Sequence, residues 1–211
     1  MIEVIASLGL GVLILAFVQW QYKQKRLSSE VARKIVHVTT GLLVISWPFF
    51  VSWHVIIGVE VVFFLTALIT RRMVVLSSQH EIGRKSWGEF FFSLGVVSII
   101  LLGAPRWIFV LAILHLSFAD TAAAIIGKRY GKTTTYRIFG QKKSLAGSAA
   151  FYTVSVLLIV SAALLVPNQL GSVSKLSLVS LPLVAMLVEN IGVYGLDNLL
   201  IPLTVFALLH S

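Results

Sequence analysis

LAILHLSFADTAAAII, residues 111–126, is an apolar stretch of helical length broken by one acid, Asp120, and followed at once by GKRYGK, residues 127–132. An apolar run that ends in Lys and Arg predicts a membrane helix reaching the cytoplasmic face. A hydrocarbon core about 30 Å thick takes roughly 20 apolar residues, and basic residues stay on the cytoplasmic side. Asp120 precedes Ile126 by six residues, roughly 9 Å along a helix at 1.5 Å per residue, so its carboxylate lies below the interface. A carboxylate at the centre of a membrane helix costs about 2.5–3.5 kcal/mol on insertion scales and needs a cation, a donor or water beside it.

Outward from that helix, the whole chain reads as membrane protein. Hydrophobic residues make up 58% and charged residues only 12%, and the mean hydropathy is +0.96, outside the soluble globular range. Apolar runs cover residues 2–20, 31–51, 53–69, 90–102, 107–126, 149–166, 176–188 and 199–210. The expected fold is therefore all-α, a polytopic membrane helix bundle of seven or eight transmembrane helices, the fourth, seventh and eighth runs being short for a straight crossing. Fifteen of the 17 Lys and Arg residues fall after the first, third and fifth runs, and only Arg106 and Lys175 fall elsewhere. This split places those loops in the cytoplasm and the N-terminus outside. The net charge of +9 is accounted for by this bias and by attraction to anionic lipid, with no nucleic acid implied.

The first run has no positive charge in Met1-Ile2-Glu3, unlike a secretory signal, and is expected to stay in the protein. The absence of cysteine excludes disulfides and thiolate metal sites. With no repeat and no linker, residues 1–211 are expected to form a single integral membrane domain. Its cytoplasmic loops, about 71–89, 127–147 and 189–198, are where soluble reactants would meet it.

Positions i+3, i+4 and i+7 from Asp120 are Ala123, Ala124 and Gly127, a face nearly bare of side chains. Small residues there permit close helix packing with Asp120 bonded to a neighbour, or leave room for phosphate oxygens and a Mg²⁺ ion held by Asp120. Gly127, Gly131, Lys132 and Thr133 are not a nucleotide-triphosphatase loop, since three residues rather than four separate the glycines and a helix precedes them. They still offer backbone amides and donors to an anion. Lys142-Lys143-Ser144 and Gly147 open the sixth run with a second set of such donors. At the start of the second run Arg33 and His37 share a helical face, and Arg84-Lys85-Ser86-Trp87-Gly88-Glu89 follows the third. Glu189-Asn190 and Asp197-Asn198 frame a cytoplasmic turn and supply hard oxygen ligands of the kind Mg²⁺ takes. Glu60, in the middle of the third run, is either packed or turned into the same cavity.

In order, Glu30-Val31-Ala32-Arg33-Lys34-Ile35-Val36-His37, Arg84 to Glu89, Asp120-Thr121-Ala122-Ala123 with Gly127 and Gly131, Lys142-Lys143-Ser144 with Gly147, and Glu189 with Asp197-Asn198 resemble one family. It is that of the CTP-dependent lipid-alcohol kinases, which includes dolichol, phytol and farnesol kinases and the fungal CTP-dependent diacylglycerol kinase. The resemblance implies transfer of the γ-phosphoryl group of CTP to the hydroxyl of a membrane lipid alcohol of polyprenol, dolichol, phytol or farnesol type, with Mg²⁺, at a cytoplasm-facing site. By the same resemblance, Asp120 is catalytic, and Asp120, Asp197, Glu189 and Asn198 hold the metal. Lys132, Lys142, Lys143, Ser144, Gly147, Gly127, Gly131, Arg33, His37 and Arg84 contact the nucleotide. The chain departs from the family pattern at Ala119, usually Gly, and at Ala146, often an acid.

Two other readings compete. A phosphatidate cytidylyltransferase also needs a lipid, CTP and Mg²⁺ at the membrane, but its His-Gly-Gly-x-x-Asp-Arg run is missing here. A small ion or solute transporter with Glu60, Asp120 and His37 as a proton relay would be expected to show related halves, and none is visible.

Overall fold

Each of the eight apolar runs folds as a helix in a computed structural model of the chain, which describes residues 2–73 and 87–210. The first is α1, Ile2–Lys23, and the second α2, Ser29–Ser46. Ser28 caps α2 by accepting the Val31 N–H at 3.4 Å, and Glu30 in its first turn complements the helix dipole. The helix gives way to a 3₁₀ turn, Trp47–Phe49, because Pro48 has no N–H to continue it, so α2 is shorter than its apolar run. There follow α3, Trp53–Met73, α4, Gly88–Leu101, α5, Arg106–Tyr130, and α6, Leu145–Leu165. A single turn, Pro167–Leu170, leads to α7, Lys175–Ile191, and α8, Asp197–Leu209.

Among the described residues three segments are long and apolar enough to cross a membrane: Val4–Lys23 in α1, all of α5, and α6. The helices Trp53–Ile69, Gly88–Leu101 and Asp197–Leu209 are apolar but shorter. α1 and α6 turn most of their surface outward, and what they expose is apolar, including Leu10, Leu13, Phe17, Leu157, Val160 and Leu164. Surfaces of that kind and extent belong in lipid, and the chain is an integral membrane protein.

α5 is the hub. It is buried over most of its length and packs against α2, α6 and α8, with α7 bridging α6 and α8 and α4 backing α8. Phe109, Ile113 and Leu116 of α5 meet Phe151 of α6, Leu181 of α7 and Ile201 and Val205 of α8 in one buried cluster. The helix is not regular throughout, for His115–Ala119 is a π-turn. Such single-turn insertions occur mostly at functional positions, and this one ends immediately before Asp120.

The stretch between α5 and α6, read from sequence as loop, contains a hairpin. Strands β1, Thr135–Ile138, and β2, Gln141–Ser144, pair antiparallel, with Tyr136 opposite Lys143 and Arg137 opposite Lys142. The two-residue turn has φ of 46° at Phe139 and 78° at Gly140, the positive pair that a tight hairpin turn requires.

Candidate functional site

The site starts from the way α2 approaches α5. A Cβ on Gly41 would stand 1.8 Å from Ser117 Oγ, so only glycine lets α2 lie against the π-turn. At that turn the Asp120 N–H reaches back to the His115 carbonyl rather than to that of Leu116. The Leu116 carbonyl instead meets His37 Nε2 at 3.1 Å, and because a carbonyl only accepts, Nε2 carries the proton. One turn nearer the start of α2, Lys34 is buried at 2% exposure, with Nζ 2.5 Å from Asp120 Oδ2 and 3.4 Å from the Asp120 carbonyl. His37 Nε2 lies 3.6 Å from the same carboxylate oxygen. The acid inside the membrane helix thus has its cation, supplied by a lysine one helix away.

Asp120 and Lys34 form the floor of a pocket of about 540 Å³, a size suited to a nucleotide-sized ligand. Along α5 its wall continues through Ala123, Ala124, Gly127, Lys128, Gly131 and Lys132. The remaining walls come from Glu30 and Arg33 of α2, the hairpin with Lys142 and Lys143, the start of α6, and the α7–α8 turn from Glu189 to Asn198. Among the described residues six Lys and Arg side chains and four carboxylates line it, a surplus of two positive charges before any ligand enters.

Three of those four carboxylates are ion-paired. Glu30 holds Arg33 at 2.6 Å, Asp120 holds Lys34, and Glu189 holds Lys143 Nζ at 2.5 Å while its carbonyl accepts from the same ammonium at 2.8 Å. Asp197 differs: among the described residues no cation lies within 4 Å of it, and Oδ1 accepts the Asn198 N–H at 3.1 Å. Asn198 itself donates Nδ2–H to the Gly88 carbonyl at 2.9 Å, tying α8 to α4. Among the described residues no three acidic or His side chains converge into a ready-made metal cage.

The hairpin is fastened to the bundle by polar contacts. The Tyr136 hydroxyl lies 2.6 Å from both Ser148 Oγ and Asn190 Oδ1, and Ser148 also donates to Asn190 at 3.1 Å. Ser144 ends β2 and caps α6, its hydroxyl accepting the Gly147 N–H at 3.1 Å. Gly127 and Gly147 let α5 and α6 touch: a Cβ on Gly147 would sit 2.8 Å from the Ala123 carbonyl. Close helix packing is therefore one use of the small-residue face, and the Ala123 and Ala124 stretch of that face also opens onto the pocket.

The residues singled out from sequence mostly gather here. Asp120, Asp197, Glu189, Asn198, Lys132, Lys142, Lys143, Ser144, Gly127, Gly131, Gly147 and Arg33 all line the pocket. His37 stands behind Asp120 rather than in the lining, and Arg84 lies outside the described residues. Lys34 was missed as a site residue, although its i, i+3 spacing to His37 put both on one face. Tyr136 and Ser148 were missed too, their partnership depending on the hairpin, and Asn190, read from sequence as an oxygen ligand, accepts from both of them. Glu60, 1% exposed, faces Ser93 on α4 with no charged neighbour among the described residues, and it is not in the pocket. A relay joining it to Asp120 and His37 finds no support in this arrangement.

Known proteins are similar to this chain in sequence. A phytol kinase of Synechocystis sp. is 30% identical over 186 residues, covering 83% of this chain and 76% of that protein. CTP-dependent diacylglycerol kinase 1 of Schizosaccharomyces pombe is 31% identical over 139 residues, 62% of either chain. Its namesake in Saccharomyces cerevisiae is 28% identical over 144 residues, 61% of this chain and 48% of that protein. No protein-family model and no solved structure matches the chain. The match to phytol kinase runs through both chains for most of their length, and this chain belongs to the family of CTP-dependent lipid kinases.

Proposed function

We propose that the protein transfers the γ-phosphoryl group of CTP to the hydroxyl of a membrane lipid alcohol, of the isoprenoid or polyprenol type, at a site open to the cytoplasm. The observation that carries this reading is a carboxylate at membrane depth, Asp120, forming the floor of a cation-lined pocket whose other end opens among Lys128, Lys132 and Lys142, all exposed. A lipid hydroxyl reaches such a floor from the bilayer, while a polyphosphate reaches it from water. The five helix ends that build the pocket, the starts of α2, α6 and α8 and the ends of α5 and α7, are the ones the fifteen-to-two charge bias assigns to the cytoplasm. Eight spans with the N-terminus outside, forming one membrane domain, bring all five ends to one side.

In the reaction the lipid oxygen forms a bond to the γ-phosphorus and the bond from that phosphorus to the β–γ bridging oxygen breaks. CDP leaves, and the hydroxyl proton passes to the Asp120 carboxylate. Little of this needs covalent help from the protein, so positioning and charge neutralisation carry the catalysis. Lys143, Lys142, Lys132 and Arg33 grip the phosphates, Lys34 and His37 hold Asp120 in place, and Ser144 and the glycines bring backbone amides close. The donor chemistry fits Mg²⁺, which takes one or two carboxylates and fills its shell with phosphate oxygens and water. Asp197, with no cation within 4 Å of it among the described residues, would lead that set with Asn198, and Glu189 and Asp120 would complete it. When bound, Mg²⁺ neutralises charge on the phosphate oxygens.

The test is a product analysis with purified protein in bilayers, Mg²⁺, and CTP labelled at the α- or γ-phosphorus. Phytol, farnesol, a polyprenol, diacylglycerol and phosphatidate are each offered as acceptor. A kinase releases CDP and places only the γ-label on the lipid. Pyrophosphate release with α-label on the lipid would establish the cytidylyltransferase reading instead.

A further inference from the structure

The cations account for a triphosphate and leave open where the nucleoside goes. Among the described residues that line the pocket there is one aromatic ring, that of Tyr194. It stands at the α7–α8 turn, flanked in the lining by Gly192, Gly195 and Asp197, and its residue is 52% exposed. Its backbone has φ of 57°, a left-handed conformation that non-glycine residues rarely adopt, and its carbonyl is fixed by the Trp87 N–H at 2.8 Å. The turn therefore fixes the backbone from which this ring projects. The floor of the pocket is Asp120 and Lys34, so a triphosphate that reaches it extends its nucleoside outward toward the exposed rim, to which half-exposed Tyr194 belongs. Gln141 on β2, half-buried in the same lining, carries an amide donor and a carbonyl acceptor, the pair needed by the hydrogen-bonding edge of a pyrimidine.

We propose that Tyr194 is the stacking platform for the base of the nucleoside triphosphate, with Gln141 facing the polar edge of that base. This inference rests on the nucleotide-dependent reading of the pocket and adds to it the subsite that recognises the nucleoside. A tyrosine near the headgroups also has a plainer use as a membrane anchor. That use does not distinguish a nucleotide from its bare phosphate chain, which gives the test its form.

The binding of CTP and of inorganic tripolyphosphate to the purified protein in bilayers is measured by calorimetry for the native chain, Tyr194→Ala and Tyr194→Phe. Stacking of a base on an aromatic ring predicts that Tyr194→Ala weakens CTP roughly ten-fold while leaving tripolyphosphate unchanged. Tyr194→Phe, which keeps the ring, is expected to bind CTP as the native chain does. Equal loss of both ligands in Tyr194→Ala would overturn the proposal by making the residue structural, and so would no loss of either. Native protein that binds the two ligands equally would also overturn it. Because binding is read without turnover, a chain that binds CTP through Tyr194 yet phosphorylates no lipid would refute the kinase reading and leave this one standing.

Discussion

The pair Lys34 and Asp120 decides the chemistry at the level of single residues, because each is buried and each is the other's compensation. Removing one partner of such a pair leaves an uncompensated charge and costs about 3–5 kcal/mol, whereas replacing both with apolar groups is often neutral. Lys34→Met is therefore expected to lower the thermal midpoint sharply, and Lys34→Met with Asp120→Leu to recover much of it. Both are expected to be inactive, and a scan of thermal unfolding beside a phosphorylation assay separates the two effects. Recovery of activity in the double variant would make the pair purely structural. Asp120 was legible in the sequence because an acid within an apolar helix is costly there and needs a partner or a use. Lys34 was not, since a lysine near a membrane interface is normally there for topology, and its burial depends on how closely another helix approaches.

That approach is settled by helices and turns, through Gly41 on α2 and the π-turn of α5. Gly41→Ala forces its new methyl group into Ser117, so α2 must shift and carry Lys34 and His37 away from Asp120. The expected result is loss of at least about ten-fold in activity, the scale of a displacement of reacting groups. Gly58→Ala in α3 is the control, because nothing lies within 4 Å of the added group and alanine favours a helix by up to about 1 kcal/mol over glycine. Similar losses of activity in the two variants would contradict this account. All eight helices could be read from apolar runs, their ends shifting where Pro48 stopped α2 or where polar residues such as Asp197 opened a helix. The hairpin could not. Both its strands are short and largely polar, and its turn has a phenylalanine, exposed and in a left-handed conformation, where a sequence reader expects Asn or Asp.

In the molecule as a whole, five helix ends far apart in sequence converge on one pocket, and the charge bias alone indicated that these ends share a side. Which of them actually meet is a matter of packing around α5, and no periodicity in the sequence encodes it. The chain has no cysteine, so orientation is open to direct measurement. Lys132→Cys at the pocket mouth should react with a membrane-impermeant maleimide only from the cytoplasmic side, and Lys175→Cys at the start of α7 only from the opposite side. Labelling of both from one side would contradict the eight-span topology. The most direct test of the central claim is transfer of γ-labelled phosphate from CTP to a lipid alcohol by the native chain and by Asp120→Asn, both shown to be inserted in bilayers. The account predicts labelled lipid from the native chain and none from Asp120→Asn, and equal labelling by the two would contradict it.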